Sequence, residues 1–242
     1  MKETIQALGI MNGTSLDAID YSIIKIERSL KKVTFIKHIQ KEIPKKLKLD
    51  LERALKNQAT TYEISRLHSQ LGRLYSRQVA QIKKSSRFDI IGLHGQTLHH
   101  QGREASLQIG QPSHLALETS KPIFFDFRAN DIAVGGEGAP LAPFFQKWIT
   151  PKGKIWAFHN LGGLSNLSVI HPKGSIGGDT GPANTLLDIW AQKNKKSSYD
   201  KGGRWASQGL PHPSLVNHWL KDPYFKKNFP KSTGREYFNL QW

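Results

Sequence analysis

The chain has 242 residues, of which 38% are hydrophobic and 22% charged, and it has no cysteine. This composition excludes a disordered chain and supports one large domain or two smaller ones. The 21 glycines follow no triplet period, which excludes a collagen-like chain. The lack of cysteine excludes disulfide and thiolate chemistry. There is no apolar run of about 18 residues and no secretory signal pattern, so we expect a soluble, cytoplasmic protein that does not enter a membrane.

The basic charge of the chain is large and locally concentrated. The 35 Lys and Arg residues outnumber the 19 Asp and Glu residues, which gives a formal net charge of +16. Residues 25–56 alone hold eleven basic and four acidic residues. Such a segment fits a polyanion-binding surface, but aromatic residues do not alternate with the lysines as stacking on bases requires. We therefore favour a solvated basic surface that attracts a phosphorylated small molecule, and we expect no nucleic-acid partner.

The predicted secondary structure mixes strands and helices, with glycine loops at strand ends. The first strands, at 6–11, 21–26 and 33–39, are separated by short turns, which indicates hairpins rather than a βαβ unit. An apolar period of about 3.6 predicts a helix over residues 61–83, capped by Thr60 or Thr61. Further strands are predicted at 89–94, 122–127, 156–160 and 167–170, and a further helix at 183–192. Together these elements predict a mixed α/β fold, and the stretch 135–143, rich in Gly and Pro, is the expected domain boundary.

The first candidate site is the turn Gly13-Thr14-Ser15, which is followed by Asp17 and Asp20. Glycine lets the backbone approach a phosphate, turn N–H groups bind anions, and a nearby Asp can hold Mg²⁺ through water. A plain hairpin turn has the same composition, and the spacing is not that of a P-loop. From the residues alone, both interpretations stay open.

Two further clusters are polar. The segment His94-Gly95-Gln96-Thr97 lies near other histidines, but their spacing does not match a zinc site, so we favour a ligand-binding loop. Asp126, Arg128 and Asp131 fit either a self-burying ion pair or a clamp for a sugar or carboxylate.

The glycine-rich segment 177–182 holds Asp179 and is expected to form a tight turn before a helix. In that position the carboxylate fits either a helix N-cap or a general base directed into a cleft. The last residues, 237–242, are apolar and are expected to begin a helix or strand whose partners are missing, so the chain looks C-terminally truncated.

Eight segments in one order resemble a known family. They are 9–20, 93–97, 108–110, 125–128, 135–141, 160–166, 178–184 and 230–236. Together they resemble the anhydro-N-acetylmuramic acid kinases, which belong to the actin/hexokinase/Hsp70 ATPase superfamily. The chain departs from the usual family residues at Asn12, Ala18 and Gln146, where Ser, Gly and His are usual.

The resemblance implies a two-lobed, ribonuclease-H-like α/β fold. Residues 1–134 would form the first lobe with the phosphate hairpin, and 135–242 a partial second lobe with the catalytic Asp. The rest of the second lobe and the returning part of the first would be absent. A homodimer is a further expectation.

The implied function is ATP-dependent, hydrolytic ring opening and 6-O-phosphorylation of 1,6-anhydro-N-acetylmuramic acid, a small amino sugar released during peptidoglycan recycling. The resemblance makes Asp179 the base and requires ATP and Mg²⁺, with no resident metal ligands. The implied ATP contacts are Gly13, Thr14, Ser15, Leu16, Asp17, Ala18, Ile19, Asp20, Asn160, Gly162 and Gly163. The implied sugar contacts are His94, Gln96, Thr97, Asp126, Arg128 and Asp131.

Three alternative functions compete with this one. The first is a truncated, inactive remnant of the kinase that still binds sugar. The second is a different sugar kinase of the same superfamily, and the third is a basic nucleic-acid binder. ATP-dependent turnover separates the first two from the main hypothesis, and salt-sensitive DNA binding would favour the third.

Overall fold

The computed structural model describes residues 3–13, 16–27, 32–234 and 237–242. The chain divides into two compact units, Met1–Ala139 and Pro140–Trp242. Each unit contains both strands and helices, so the predicted mixed α/β class is confirmed. Within the described ranges, no helix is long and apolar enough to cross a membrane.

The first unit is built on a mixed sheet. Its strands are β1 (Thr4–Asn12), β2 (Ile19–Glu27), β3 (Lys32–Lys41), β4 (Ile90–Gln101), β5 (Ala105–Ile109) and β6 (Ile123–Phe124). The order is β3-β2-β1-β4, with β1, β2 and β3 antiparallel, and β4 running parallel to β1 and β6. The predicted hairpins at the start of the chain are confirmed. Three antiparallel strands continued by two parallel ones form the sheet of a ribonuclease-H-like unit.

The described part of this unit has four helices, α1 (Lys45–Leu55), α2 (Thr61–Ile82), α3 (Ser113–Thr119) and α4 (Phe127–Ala133). Three of them, α1, α2 and α3, contribute buried apolar residues to the core, and α4 has none. The predicted long helix is confirmed as α2, which begins with a capping box between Thr60 and Glu63. Its buried residues include Leu67, Leu71 and Val79, and they join the core with residues of β1, β2 and β4.

Strand β4 changes its pairing partner in the middle. It runs beside β1 as far as the pair Met11 and Gly95, and from Gln96 onward it pairs with β5, beginning at Ile109. Gly95 has φ +74°, and a Cβ atom there would lie 2.6 Å from the carbonyl oxygen of Ile109. Only glycine fits this crossing, because any side chain would collide with the backbone of β5.

The second unit is a small antiparallel sheet with helices. Its strands are β7 (Trp156–Leu161), β8 (Leu164–His171) and β9 (Gly174–Pro182), in that spatial order. Its helices are α5 (Ala142–Ile149), α6 (Asn184–Lys195) and α7 (Pro213–Trp219), and 3₁₀ turns lie at Lys201–Gly203, Ala206–Gln208 and Pro223–Lys226. The predicted strands at 156–160 and 167–170 and the helix at 183–192 are confirmed.

Two predicted elements are wrong. The stretch 177–182 is not a tight turn but the last six residues of strand β9, since Gly177, Gly178, Asp179, Gly181 and Pro182 all pair with β8. The predicted strand 122–127 is only two residues long, Ile123–Phe124, because Asp126 takes a left-handed conformation at φ +57° and helix α4 follows at once.

The last residues also differ from expectation. Instead of a helix or strand without partners, 237–242 form turns that close an aromatic cluster. Phe238 is fully buried, with edge-to-face contacts to Tyr224 and Trp242 at centroid distances of 5.2 and 5.0 Å. Trp242 also donates a hydrogen bond to Asp222 at 2.7 Å. Edge-to-face geometry of this kind is favourable between aromatic rings.

A leucine pair tests the core of the first unit. Leu71 on α2 is fully buried, whereas Leu117 on α3 is 83% exposed. We expect Leu71→Ala to lower the free energy of unfolding by about 2–5 kcal/mol, because it removes buried methyl groups and leaves a cavity. Leu117→Ala should change it by less than about 0.5 kcal/mol. Urea unfolding followed by circular dichroism measures both, and equal losses would show that α2 does not pack as described.

Candidate active site

Asp179 lies in strand β9 and is held by a neighbouring segment. Its backbone N–H donates to the carbonyl of Lys231 at 2.8 Å, and its carboxylate Oδ2 accepts from the N–H of Thr233 at 2.9 Å. The Tyr224 hydroxyl donates to the Asp179 carbonyl at 2.8 Å. Asp179 is therefore not a helix N-cap, and that interpretation is wrong: α6 begins five residues later, with Ala183 in the cap position.

The surroundings of Asp179 change its acidity. Burial raises the pKa of its carboxyl above the ordinary value, while hydrogen bonds from the Thr233 N–H and the Ser232 side chain oppose the rise. A carboxylate with a raised pKa is a better proton acceptor than one in water. The Thr233 N–H and the Ser232 side chain together fix the orientation of this carboxylate.

The segment that holds Asp179 explains the glycine before it. A Cβ atom at Gly178 would lie 2.6 Å from the carbonyl oxygen of Lys231 and 2.9 Å from the ring of Phe229. Strand β9 therefore needs glycine here so that residues 229–233 can pass close beside it. Reasoning from the sequence did not assign Thr233 or Tyr224 to the site. The segment 230–236 carried a signal for Thr233, because it is one of the eight segments of the resemblance.

The glycine turn between β7 and β8 is fastened to the start of α6. The carbonyls of Gly162 and Gly163 accept from the N–H groups of Asn184 and Thr185, both at 3.0 Å. The Asn184 side chain donates to the Leu161 carbonyl at 2.9 Å. The Asn160 amide lies against Gly162, where a Cβ atom would be 3.3 Å from its nitrogen. The structure thus brings Asn160, Gly162 and Gly163 together in one fixed turn.

In the first unit, the loop after β1 is partly described. Two of its predicted site residues, Thr14 and Ser15, lie outside the described residues. Leu16 donates its N–H to the Gly13 carbonyl at 3.2 Å and has φ +56°. The side chains of Leu16 and Ile19 are buried in the core, so only their backbone is available to a ligand. Ala18 is half-buried between them.

The two aspartates after this loop differ. The side chain of Asp17 is 77% exposed and lies 3.9 Å from the Lys48 ammonium. Asp20 instead accepts from Gln40 at 2.9 Å and lies 3.3 Å from the His38 ring. Nucleotide-bound Mg²⁺ keeps several waters and needs only one or two protein carboxylates. Asp17 fits that requirement better, because its carboxylate is more exposed and its contact with Lys48 is longer than the contacts of Asp20 with Gln40 and His38.

Arg128 is held in place by His94 and Gly138. Its Nε donates to His94 Nε2 at 3.1 Å, and its Nη1 donates to the Gly138 carbonyl at 3.0 Å. Because His94 Nε2 accepts, the proton of the neutral ring sits on Nδ1, which is 2.9 Å from the carbonyl oxygen of Gly95. Burial lowers the pKa of His94, and the charge of Arg128 lowers it further. Among the described residues, the other N–H groups of Arg128 have no hydrogen-bond partner, and they can bind an anionic or hydroxyl ligand.

The two aspartates near Arg128 do not pair with it. Asp131 accepts the Gly138 N–H at 2.7 Å, so it supports the same loop that Arg128 contacts. Asp126 is exposed at the start of α4. Within the described ranges no ion pair joins Arg128 to either residue, so the self-burying ion pair is wrong. The sugar clamp stays a prediction.

Gln96 and Thr97 lie on β4 just beyond the crossing at Gly95. Gln96 is fully buried and accepts from Asn12 at 2.6 Å, whereas Thr97 is half-buried and lies 3.4 Å from the amide nitrogen of Gln108. Among the residues that the structure describes, no three His, Asp or Glu side chains form a group suited to a metal ion.

Comparison with known proteins gives the family. The model of anhydro-N-acetylmuramic acid kinase matches residues 5–242. The protein of that name from Vibrio cholerae serotype O1 is 38% identical over 253 residues, covering 100% of this chain and 68% of its own length. Those from Shewanella oneidensis and Sulfurimonas denitrificans are 38% and 37% identical, each covering 97% of this chain and 66% of the relative. The chain therefore belongs to the anhydro-N-acetylmuramic acid kinase family.

The relatives are longer than this chain, which spans about two thirds of their length. Among solved structures, a Ppx/GppA family member from Aquifex aeolicus matches with a TM-score of 0.38 and 9% identity, over 79% of this chain and 54% of that one. Similarity at this level does not establish a common fold, so the strand order described above defines the architecture.

The contact between His94 and Arg128 predicts a pH dependence. The pKa of His94 is lowered in the folded protein, so the stability it contributes is complete above its unfolded value of about 6.5 and is lost as the pH falls below it. We expect His94→Gln to reduce the loss of stability between about pH 7.5 and pH 5.5. Burial also lowers the pKa of His68 and His100, so part of the loss will remain. Urea unfolding at each pH measures the effect, with exposed His218→Gln as the control; unchanged pH dependence in His94→Gln would contradict the assignment.

Proposed function

We propose that this chain carries out the reaction of its family: ATP-dependent opening and phosphorylation of 1,6-anhydro-N-acetylmuramic acid to N-acetylmuramic acid 6-phosphate. Family membership supports the proposal. The observation that carries it is the Asp179 carboxylate, held by the Thr233 N–H at 2.9 Å with a pKa raised by burial. We also propose that the protein acts in the cytoplasm, in peptidoglycan recycling, and forms a homodimer.

Asp179 is proposed as the general base. It removes a proton from a water molecule, whose oxygen bonds to C1 of the sugar as the bond between C1 and O6 breaks. O6 then bonds to the γ-phosphorus of ATP, and ADP leaves with the electron pair of the cleaved bond. A glycosidase needs a second carboxyl group to protonate its leaving oxygen. Here the leaving oxygen O6 bonds to the phosphoryl group instead of to a proton, so a single carboxyl group, acting as the base, is sufficient.

The phosphate contacts are assigned to two glycine turns. In the first unit these are residues 13–20, where Gly13 and the backbone of Leu16 offer close approach and Asp17 an exposed carboxylate. In the second unit they are Asn160, Gly162 and Gly163. Mg²⁺, when bound with the nucleotide, neutralises phosphate charge. Asp17 is the residue of this chain that would contact its hydration shell, since Asp20 is engaged by Gln40 and His38.

The sugar contacts are assigned to the first unit. Arg128, fixed by His94 and Gly138, presents its free N–H groups to the carboxylate of the muramic acid. Asp131 supports Gly138, and Asp126 is exposed at the start of the same helix. Thr97 is half-buried, whereas Gln96 is fully buried and is proposed to support Thr97, to whose carbonyl it donates a hydrogen bond, rather than to contact the sugar directly.

Asp179→Asn tests the base. The amide can still accept the Thr233 N–H but cannot take up a proton, so turnover should fall at least about 10²-fold while sugar affinity stays within several-fold. The control is Asp200→Asn, which also accepts backbone N–H groups, from Trp205 and Ala206. ADP release with the anhydro-sugar measures turnover, and calorimetry measures binding. A mutant rate within about tenfold of the wild type would rule out the assigned role.

Gly13→Val tests the phosphate turn. A branched side chain should block backbone approach to the phosphates, so ATP-analogue affinity should fall much more than sugar affinity. Gly174→Val is the control, because a Cβ atom at Gly174 meets nothing within 4 Å. Separate titrations with the non-hydrolysable ATP analogue and the sugar decide the point. Equal losses for both ligands would indicate misfolding instead.

The sugar-binding remnant is tested by the same measurements on the unmodified chain. Sugar binding without ATP-dependent turnover would favour it over the kinase.

A further inference from the structure

A chain of hydrogen bonds between buried side chains connects α2 to both β1 and β4. The Tyr75 hydroxyl donates to Asn12 Oδ1 at 2.6 Å, and Asn12 Nδ2 donates to Gln96 Oε1 at 2.6 Å. Gln96 Nε2 then donates to the Thr97 carbonyl at 3.1 Å. Tyr75 and Gln96 are 0% exposed and Asn12 is 2% exposed.

Every group in this chain of bonds has a fixed role. Burial raises the pKa of Tyr75, so its hydroxyl keeps its proton and acts as the donor. With Asn12 Oδ1 accepting, its Nδ2 must donate, and this in turn fixes the orientation of the Gln96 amide. Buried polar groups that lose a partner are costly, so the three side chains hold one another in a single arrangement.

The bonds lie where the backbone pairing of β1 and β4 ends. The last pair is Met11 with Gly95, and Asn12 and Gln96 are the next residue on each strand. Their side chains connect the two strands beyond the point where backbone bonds can. Asn12 directly precedes Gly13 of the phosphate turn, and Gln96 lies between His94 and Thr97 on the sugar side.

We propose that Tyr75, Asn12 and Gln96 are positioning residues that fix the start of the phosphate turn relative to the sugar-side strand of the same unit. This inference rests on the proposed kinase function. Fixing the Asn12 side chain at both ends fixes its Cα atom, and therefore the point from which Gly13 leaves β1. Phosphoryl transfer depends mainly on the position of the phosphate, and an error of about 1 Å can lower the rate about 10²-fold.

The protein contains a matched control for this role. Tyr21 on β2 is also 0% exposed, and its hydroxyl donates at 2.6 Å to Gln78, which lies on the same helix as Tyr75. The same Tyr→Phe change at both positions removes a buried hydroxyl and an equally short hydrogen bond. The bond from Tyr21 joins β2 to α2 and reaches neither Asn12 nor β4, so it does not connect the phosphate turn to the sugar-side strand. A purely structural contribution should therefore be similar for the two variants.

The experiment compares Tyr75→Phe and Tyr21→Phe in the 242-residue chain. We expect both to shift the Tm by similar amounts. We expect kcat to fall about tenfold in Tyr75→Phe alone, with the KM for ATP within about threefold, because the turn still binds phosphate but places it less accurately. Steady-state ADP release with ATP and the anhydro-sugar gives both constants. Equal kcat values for the two folded variants would overturn the inference.

A second variant interrupts the same bonds elsewhere and keeps the test decisive if Tyr75→Phe does not fold. Gln96→Met keeps the side-chain length but removes the partner of Asn12, so it should lower kcat to a similar extent. If both variants fold, combining them should cause little further loss, because residues that act as one unit are not additive. A full multiplicative loss, or wild-type kcat in Gln96→Met, would overturn the inference. An unmodified chain without ATP-dependent turnover would instead overturn the proposed function, and this inference with it.

Discussion

Glycine at position 95 lets strand β4 leave β1 and pair with β5, because a side chain there would collide with the carbonyl oxygen of Ile109. This crossing places the assigned residues of β4 beside the start of the phosphate turn. The phosphate turn leaves β1 beside it, and His94, Gln96 and Thr97 surround it on β4. Where the two strands separate and their backbone pairing ends, they are still connected by a side-chain hydrogen bond between Asn12 and Gln96 at 2.6 Å.

In the second unit, a close approach between two backbone segments likewise positions a candidate site residue. Gly178 allows residues 229–233 to run beside β9, and this segment supplies the N–H that holds the Asp179 carboxylate. The same closeness buries the carboxyl and raises its pKa. One packing contact therefore sets both the orientation and the basicity of the proposed base. In each unit, a glycine is required because another strand or segment passes close to it. Backbone packing therefore explains these two glycines, and their presence does not by itself indicate a ligand.

The sequence predicts some parts of this protein well and others poorly, for physical reasons. Helix α2 was predictable because its apolar period and the cap at Thr60 are local signals. Strand β9 was not, because five of its nine residues from Gly174 to Pro182 are Gly or Pro, and only pairing with β8 makes it a strand. The aromatic cluster around Phe238 was also missed, since Tyr224 and Trp219 reach it through tertiary contacts.

The residues of the candidate site were also predictable only in part. Asp179, Arg128 and His94 could be selected from residue type and from the family resemblance. The hydrogen bonds that fix Asp179 and Asn12 could not be predicted, because Thr233 is 54 residues from Asp179 and Tyr75 is 63 residues from Asn12 along the chain. The resemblance included the segment that holds Thr233, but it did not show which residue Thr233 contacts. The fully buried environment of Gln96 likewise depends on packing that no local pattern records.

In the proposed reaction, water opens the anhydro ring while O6 takes the phosphoryl group, and ¹⁸O-labelled water shows directly where the oxygen of the water goes. The chain is incubated briefly with ATP and the anhydro-sugar, quenched, and the products are analysed by mass spectrometry. The proposed reaction gives a sugar phosphate with ¹⁸O on C1 and none in the phosphate group, formed one-to-one with ADP. Labelled inorganic phosphate beside unopened anhydro-sugar would mean simple ATP hydrolysis, and would contradict it.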